Sequence, residues 1–399
     1  MKKVLAVILC CFMIFSLAAC GGASGSSGGQ TSAGSSTTGL AGDPIKIGIT
    51  AVMTGDRAME GEYTKNTAAI AQEEINSAGG VLGRPIELVI EDALGTDVGA
   101  VNAYRKLAAD DSITAIIGSN SSNDNIAISS SVLEFEILTT AQGSSPKLAE
   151  LCNNENPWMF QLRTSDKTLC ASMIKYAVEE LGYKSFAVIH DTDTPSTDQS
   201  NLFIEALASY GIEPVIKVPF TAGTKDFSSH LAQIQNANVD AVLAACFHTE
   251  AAIMTQQMRS MGMDLPVFGS NAFSDPVTID LAKDALNDCY SVTSWVPNTT
   301  NPKGAAFSKK YEETYNQECA MSAAQIYDHV YIICEAIERA GTTDRTAVRD
   351  AMRTIDNYEG AITTFDCRTN GECGRGGLLV QVQDRVPTVI ESIYAEKEI

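Results

Sequence analysis

From Pro44 onward the chain repeats one unit: a short β-branched run, a polar turn, then apolar residues at helical spacing. Strands are expected at Ile45–Thr50, Ile86–Glu91, Ile113–Ile117 and Ile137–Thr140, with helices at Glu62–Ala78, Val98–Ala109 and Ser122–Glu134 between them. A repeating βαβ unit implies a parallel sheet with helices on both faces and right-handed crossovers. The pattern then restarts. Strands at Met159–Leu162, Ser185–His190, Pro214–Val218, Ala241–Ala245, Val267–Phe268 and Tyr290–Val296 alternate with helices at Lys167–Leu181, Gln199–Tyr210, Asp226–Gln235 and Glu250–Met261. A helical block follows at Pro302–Asn316, Ala323–Ala340 and Arg345–Thr354. Short strands at Ala361–Phe365, Leu378–Val382 and Val389–Ile393 close the chain. The expected fold is α/β, with two Rossmann-like doubly wound lobes and a tail able to serve both.

Ligands of such sheets bind beyond the carboxyl ends of the strands. Several strands here end in polar turns: Thr54-Gly55, Ser119 to Asn125, Gln142 to Ser145, Asp191 to Thr194, and Ser270-Asn271. A cleft between two lobes lined by these turns is the natural small-molecule site. The turn after Ile113–Ile117 stands out, because Gly118 is followed by Ser119, Asn120, Ser121, Ser122, Asn123 and Asp124, and then by the start of a helix. Free backbone N–H groups and serine hydroxyls there would face an anion, helped by the helix dipole. The same residues also suit plain helix capping, and local sequence does not separate the two readings.

The N-terminus carries a second kind of information. Lys2 and Lys3 precede an apolar run from Val4 to Ala19, and Leu17-Ala18-Ala19-Cys20 is followed by Gly21. This is the layout of a secretory signal over residues 1–19. The apolar run is short of the ~20 residues that span a bilayer. A cysteine directly after Leu-Ala-Ala resembles the lipobox of bacterial lipoproteins, which implies lipidation of Cys20. Residues 20–42 are mostly Gly, Ser, Thr and Ala and read as a flexible tether. The expected product is extracytoplasmic, held at the outer face of the bacterial cell membrane through the lipid on Cys20 alone.

The formal net charge of −21 at pH 7 argues against a nucleic-acid partner, whose phosphates need a Lys/Arg-rich face. Eight cysteines remain after Cys10, Cys11 and Cys20 are set aside. An exported chain can pair them, and Cys367 with Cys373 is the likeliest local bridge, while Cys246 and Cys334 lie in apolar runs and suit burial. The histidines, His190, His230, His248 and His329, are scattered, and no Cys/His spacing suggests a metal site. No cofactor is expected.

These features together resemble the leucine/isoleucine/valine-binding group of ABC-importer substrate-binding proteins. The resemblance spans about Ile45 to Ile393. It rests on Ile47-Gly48 with Thr54-Gly55, the run Glu73-Glu74-Ile75-Asn76-Ser77-Ala78-Gly79-Gly80-Val81-Leu82-Gly83-Arg84-Pro85-Ile86, then Glu91-Asp92 and Ile117-Gly118-Ser119. Ala187-Val188-Ile189-His190-Asp191 and Thr224-Lys225-Asp226-Phe227-Ser228 complete it.

The family fold implies two lobes joined by a three-crossing hinge and closing on a ligand. Residues 43–163 with 297–362 would form lobe 1, and residues 164–296 with 363–399 lobe 2. The resemblance implies that Ser122 and Ser144 hold a ligand carboxylate, with Gln142 contributing backbone contacts. Ser121 or Ser145 takes over if the register slips by one. Departures follow at the other end. Glu60 stands near the position of an expected aromatic, Pro195 near another, and Asn271 where an acid would hold an ammonium. Phe247 keeps an aromatic on lobe 2. Glu60, Asp191 and Asp193 are candidates for a cationic group or are simply solvated acids, while His190 and Glu250 read as structural.

The expected function is that of an extracytoplasmic solute-binding lipoprotein. It would capture an amino acid or related small carboxylate by lobe closure and pass it, as a monomer, to ABC permease subunits. A ligand-sensing receptor of the same fold, or a binder of an amide, urea or aromatic acid, is the alternative. An enzyme is not expected: the folded body has no GxSxG elbow or metal cluster, and Gly371 to Gly377 reads as a hairpin loop.

Overall fold

The computed structural model describes residues 40–55, 57–368 and 371–394. The expected signal segment 1–19, Cys20 and most of the expected tether therefore lie outside the described residues. The body opens with β1 (Ile45–Ala51), α1 (Ala58–Ser77), β2 (Ile86–Asp92), α2 (Asp97–Ala108), β3 (Ile113–Ile117), α3 (Ser122–Phe135), β4 (Leu138–Ala141), the short α4 (Pro146–Glu150) and β5 (Met159–Gln161). The strands form one sheet in the order β2-β1-β3-β4-β5, every pair parallel. β3 and β4 are buried along their whole length, which is why they read as unbroken apolar or Thr-rich runs.

The second unit runs through α5 (Asp166–Lys175), β6 (Phe186–Asp191), α6 (Thr194–Ala208), β7 (Ile216–Phe220), α7 (Ser228–Ala237), β8 (Ala241–Ala245), α8 (His248–Ser260), β9 (Val267–Gly269), α9 (Pro276–Ala282) and β10 (Cys289–Thr293). The chain then returns to the first lobe as α10 (Pro302–Tyr315), α11 (Met321–Ala340), α12 (Arg345–Met352) and the small hairpin β11 (Tyr358–Glu359) with β12 (Thr364–Phe365). It ends in β13 (Gly376–Gln383) and β14 (Val386–Tyr394), which extend the second sheet to β14-β13-β10-β9-β8-β6-β7. β13 joins β10 antiparallel, so one tail hairpin closes an otherwise parallel sheet.

Four helices and one segment depart from the sequence expectation. α1 begins at Ala58 and α6 at Thr194, each several residues earlier than the apolar periodicity. α4 and α9 begin at Pro146 and Pro276 and are too short to show a period; proline suits a helix start because its missing N–H would have been unpaired there. Residues 363–368 and 371–373 pack with the first lobe rather than the second. Phe365, Cys367 and Cys373 sit in that lobe's core, and Gln161 at the sheet edge exchanges backbone hydrogen bonds with Gly371 (2.6 Å) and Cys373 (2.8 Å). Cys367 and Cys373 form the one disulfide among the described residues, and Cys246 and Cys334 are buried thiols.

The polypeptide passes between the sheets three times: after β5, after β10, and between β12 and β13. The first and third crossings are tied to each other, the Thr164 hydroxyl donating to the Gly376 carbonyl at 2.7 Å, and just past the second the Asn301 amide donates to the Gly360 carbonyl of the β11–β12 turn at 2.9 Å. α11 is the first lobe's central helix, buried along much of its length and packed on α1.

Candidate functional site

The turn after β3 is built from interlocking side chains. Gly118 donates to the Thr140 carbonyl at 2.8 Å, and a Cβ there would collide with the Asn125 amide, so the position requires glycine. Asn125 is buried and donates to the carbonyls of Ser119 and Ser121, both at 2.7 Å. The Ser119 hydroxyl donates to Asp124 at 2.6 Å, and burial pushes the Asp124 carboxyl above its usual value despite that bond and nearby Arg57. Ser121 is the helix cap, accepting from the Asp124 N–H at 3.3 Å. Capping and ligand reach are thus divided between adjacent serines.

Ser122, the first residue of α3, is only half-buried, and its Oγ accepts the Ser145 N–H at 3.2 Å. That leaves its own proton uncommitted. Gly143 lies against Ser122 so closely that a Cβ would overlap the hydroxyl. The β3 and β4 turns therefore form one continuous surface at the carboxyl edge of the sheet. On the β4 turn the Ser144 hydroxyl is buried and donates to Asp166 at 2.9 Å, while the half-buried Ser145 makes no side-chain cap bond. Gln142 is 2% exposed, donates to the Gly118 carbonyl at 2.6 Å, and leaves its Oε1 without a partner.

Glu60 does not stand free. Arg57 grips it through Nε (3.1 Å) and Nη2 (2.5 Å), and the same Nη2 donates to Asn120 at 2.6 Å, joining the start of α1 to the β3 turn. The sequence reading missed Arg57. Its only signal was the Arg/Glu pair three residues apart at a helix start.

Lobe 2 brings its own groups. Phe247, 47% exposed, occupies the N-cap position of α8 just beyond β8. Next to it, His248 Nε2 lies 3.7 Å from Asp275 Oδ2. Burial pulls the His248 pKa down, but Asp275, with Glu60 and Glu250, more than offsets this and leaves it above the ordinary value. The field of Glu60, on lobe 1, thus reaches His248 on lobe 2. Asp275 also caps α9 by accepting the Val277 N–H at 2.9 Å. Asn271 and Asp275 share a small cavity of about 20 Å3 with Thr293 and Trp295, and Ala320 and Met321 at the start of α11 also line it.

Asp191 does not join these residues. It is 0% exposed, one oxygen accepts the Asp193 N–H and the other the Ser196 hydroxyl, both at 2.8 Å. Burial chiefly raises its pKa. Its carboxylate holds the start of α6, so the cation-binding reading is corrected: a buried carboxylate with both oxygens engaged within the protein has no face for a ligand. Asp193 stands exposed at the N-cap of α6. Glu250 accepts the Gly223 N–H at 2.9 Å and His190 Nδ1 lies 2.7 Å from the Asp191 carbonyl oxygen, both local structural contacts. Among the described residues no cluster of three or more His, Cys, Asp or Glu is arranged to hold a metal ion.

Two lobes, a three-crossing hinge and hydroxyl-bearing turns at the edge of the first sheet agree with what sequence comparison finds. The model of the periplasmic binding protein family matches residues 44–386. The chain belongs to the periplasmic binding protein family. It is 28% identical over 344 residues to a Leu/Ile/Val-binding protein homologue of Brucella melitensis, covering 82% of this chain and 88% of that one. The crystal structure of a leucine-binding protein, LivK, from Thermotoga maritima superposes with a TM-score of 0.77 at 26% identity, covering 88% of this chain and 99% of that one. The substrate-binding protein LivJ of Streptococcus pneumoniae, solved with isoleucine, has the same fold, with a TM-score of 0.76 at 22% identity over 88% and 99% of the two chains. This binding protein is therefore an extracytoplasmic solute binder of that family, and not an enzyme.

Proposed function

We propose that the protein captures an amino acid between its lobes and presents it to the permease of an ABC importer, anchored to the outer face of the membrane by a lipid on Cys20. The carboxylate is held on lobe 1 by the hydroxyls of Ser122 and Ser145 and the N–H groups at the start of α3. The ammonium is held on lobe 2 by Asp275, in place of the acid that the resemblance led us to expect at Asn271.

One observation carries this reading. Ser122 and Ser145 retain uncommitted hydroxyl protons at the carboxyl edge of the first sheet; Ser121, which also only accepts, is tied to the cap of its own helix, and Ser144 alone gives its proton away, to Asp166. Serine hydroxyls beside a helix N-terminus favour an anion, and the Asp275 carboxylate on the other lobe favours a cation. A zwitterion satisfies both. The relatives named for leucine, isoleucine and valine support an amino acid as the class.

Side-chain selectivity would come from Phe247, the wall formed by Ala320 and Met321, and the Arg57–Glu60 pair at the mouth. Arg57 neutralises Glu60, so a second amine on the ligand is not required. Titration calorimetry with leucine, isoleucine, valine, alanine and threonine, against their 2-oxo acid counterparts, tests the assignment. Binding of an amino acid that is lost when its amine is removed supports it. Tighter binding of the 2-oxo acid, or of an aromatic acid or amide with no amino acid bound, replaces the ligand class while leaving the fold as it is.

A further inference from the structure

The three crossings between the lobes enclose a second cavity, lined by Arg163 and Thr164 of the first crossing, Ser294 of the second, Thr363 beside the third, and Gln325 and His329 of α11. The part deep enough to hold the centre of a water-sized group is about 10 Å3, room for one small occupant. Two polar groups on its wall lack partners. Ser294 is 3% exposed, and its Oγ has no hydrogen bond. The Arg163 Nε is buried and likewise unpartnered, and among the described residues Arg163 forms no ion pair. Its charge is felt by Asp166, whose carboxyl is engaged with the Ser144 hydroxyl instead.

A buried guanidinium N–H and a buried hydroxyl without acceptors cost free energy unless something in the cavity accepts from them. The other walls do not supply a counter-ion. His329 Nδ1 lies 2.8 Å from Thr140 Oγ1, and burial keeps the ring neutral. Asp328, the nearest acid on the wall, points its oxygens at the backbone N–H groups of Ala361 (2.5 Å) and Ile362 (2.8 Å), and Lys303 opposes its charge. What the cavity lacks is one small acceptor carrying negative charge.

We propose that the hinge holds a single halide-sized anion, chloride under physiological conditions, accepting from Arg163 and Ser294. The site is distinct from the amino-acid cleft and does not depend on that assignment. The anion is held by residues of two crossings, with Thr363 of the segment leading to the third on the same wall, so its occupancy favours the hinge geometry in which these groups converge. Any coupling to ligand affinity would be reciprocal.

The test is thermal unfolding of the mature protein in sodium chloride, sodium bromide and sodium gluconate at matched ionic strength. Gluconate is too large for the cavity. The expected result is a rise of about 2–4 °C in chloride or bromide over gluconate at ten times the dissociation constant. That increment disappears in Ser294→Ala and in Arg163→Gln, and persists in Ser122→Ala, which alters only the amino-acid cleft. Ser294→Ala removes one hydroxyl, so it reports on the site even if Arg163→Gln folds poorly. An anomalous bromide peak beside Arg163 in crystals grown from bromide would agree. Equal unfolding temperatures in the three salts, a halide increment that survives Ser294→Ala, or an increment lost in Ser122→Ala would each overturn the proposal, the first leaving the cavity to water.

Discussion

At the scale of single residues, neighbouring serines divide the work through what each hydroxyl already holds. Ser122→Ala removes a hydrogen bond to a charged group, worth about 1.5–3 kcal/mol, so calorimetry should show affinity for the amino-acid ligand weakened about ten-fold or more. Ser144→Ala should disturb Asp166 and stability more than affinity. Glu60→Gln should change ligand affinity less than Asp275→Asn, because Arg57 grips both Glu60 oxygens at 3.1 Å or less, whereas His248 stands 3.7 Å from Asp275. The reverse order would move the ammonium site to lobe 1.

Two adjacent residues on α11 set opposite pH dependences. Burial pushes the His329 pKa down to about 3, so between about pH 6.5 and 3 the unfolded chain takes up the proton first and stability falls with acid. His329→Gln should lessen that loss, by on the order of 2 kcal/mol at pH 5, in urea titrations compared at pH 7 and 5. Burial raises the Asp328 pKa to about 6, although the Ala361 and Ile362 N–H groups oppose it. Its contribution is present below about pH 4 and is lost as the pH rises through about 6. Asp328→Asn should therefore remove a fall in stability over that window and not a rise.

At the scale of elements, the strands and the long helices were legible because each is long enough to show its period, and because parallel strands buried on both faces read as continuous apolar runs. Ile113–Ile117 and Ala241–Ala245 match the observed strands residue for residue. Two classes of feature were not legible. Short helices opened by proline, α4 and α9, have too few residues for periodicity, and α9 carries Asp275 at its cap, which kept the second pole of the site out of view. Contacts between distant segments, such as Arg57 with Asn120 or Ser144 with Asp166, leave no local pattern. The hydroxyl turn itself was visible, but the sequence could not say which serine caps and which faces outward. Gly118→Ala tests how tightly that turn is built. With Asn125 already in the space of a Cβ, about 1–3 kcal/mol of stability should be lost, read as a lower urea midpoint.

At the scale of the whole molecule, the architecture separates holding from moving. Each lobe has its own sheet and core, and among the described residues the backbone passes between them at the crossings after β5 and β10 and before β13, so closure is a change at the hinge with little cost inside either lobe. On the proposed assignment, a ligand held by lobe 1 through its carboxylate and by lobe 2 through its ammonium binds the closed form better than the open one, and that difference drives closure. The central claim is that the ligand bridges Ser122 and Ser145 to Asp275. Thermal unfolding of the mature protein with each common amino acid in turn tests it most directly, with Ser122→Ala and Asp275→Asn as controls. The account predicts that at least one apolar amino acid adds about 2.7 kcal/mol of stability at 100 times its dissociation constant, and that each substitution largely removes the gain. Stabilisation by no amino acid, or stabilisation untouched by both substitutions, would contradict it.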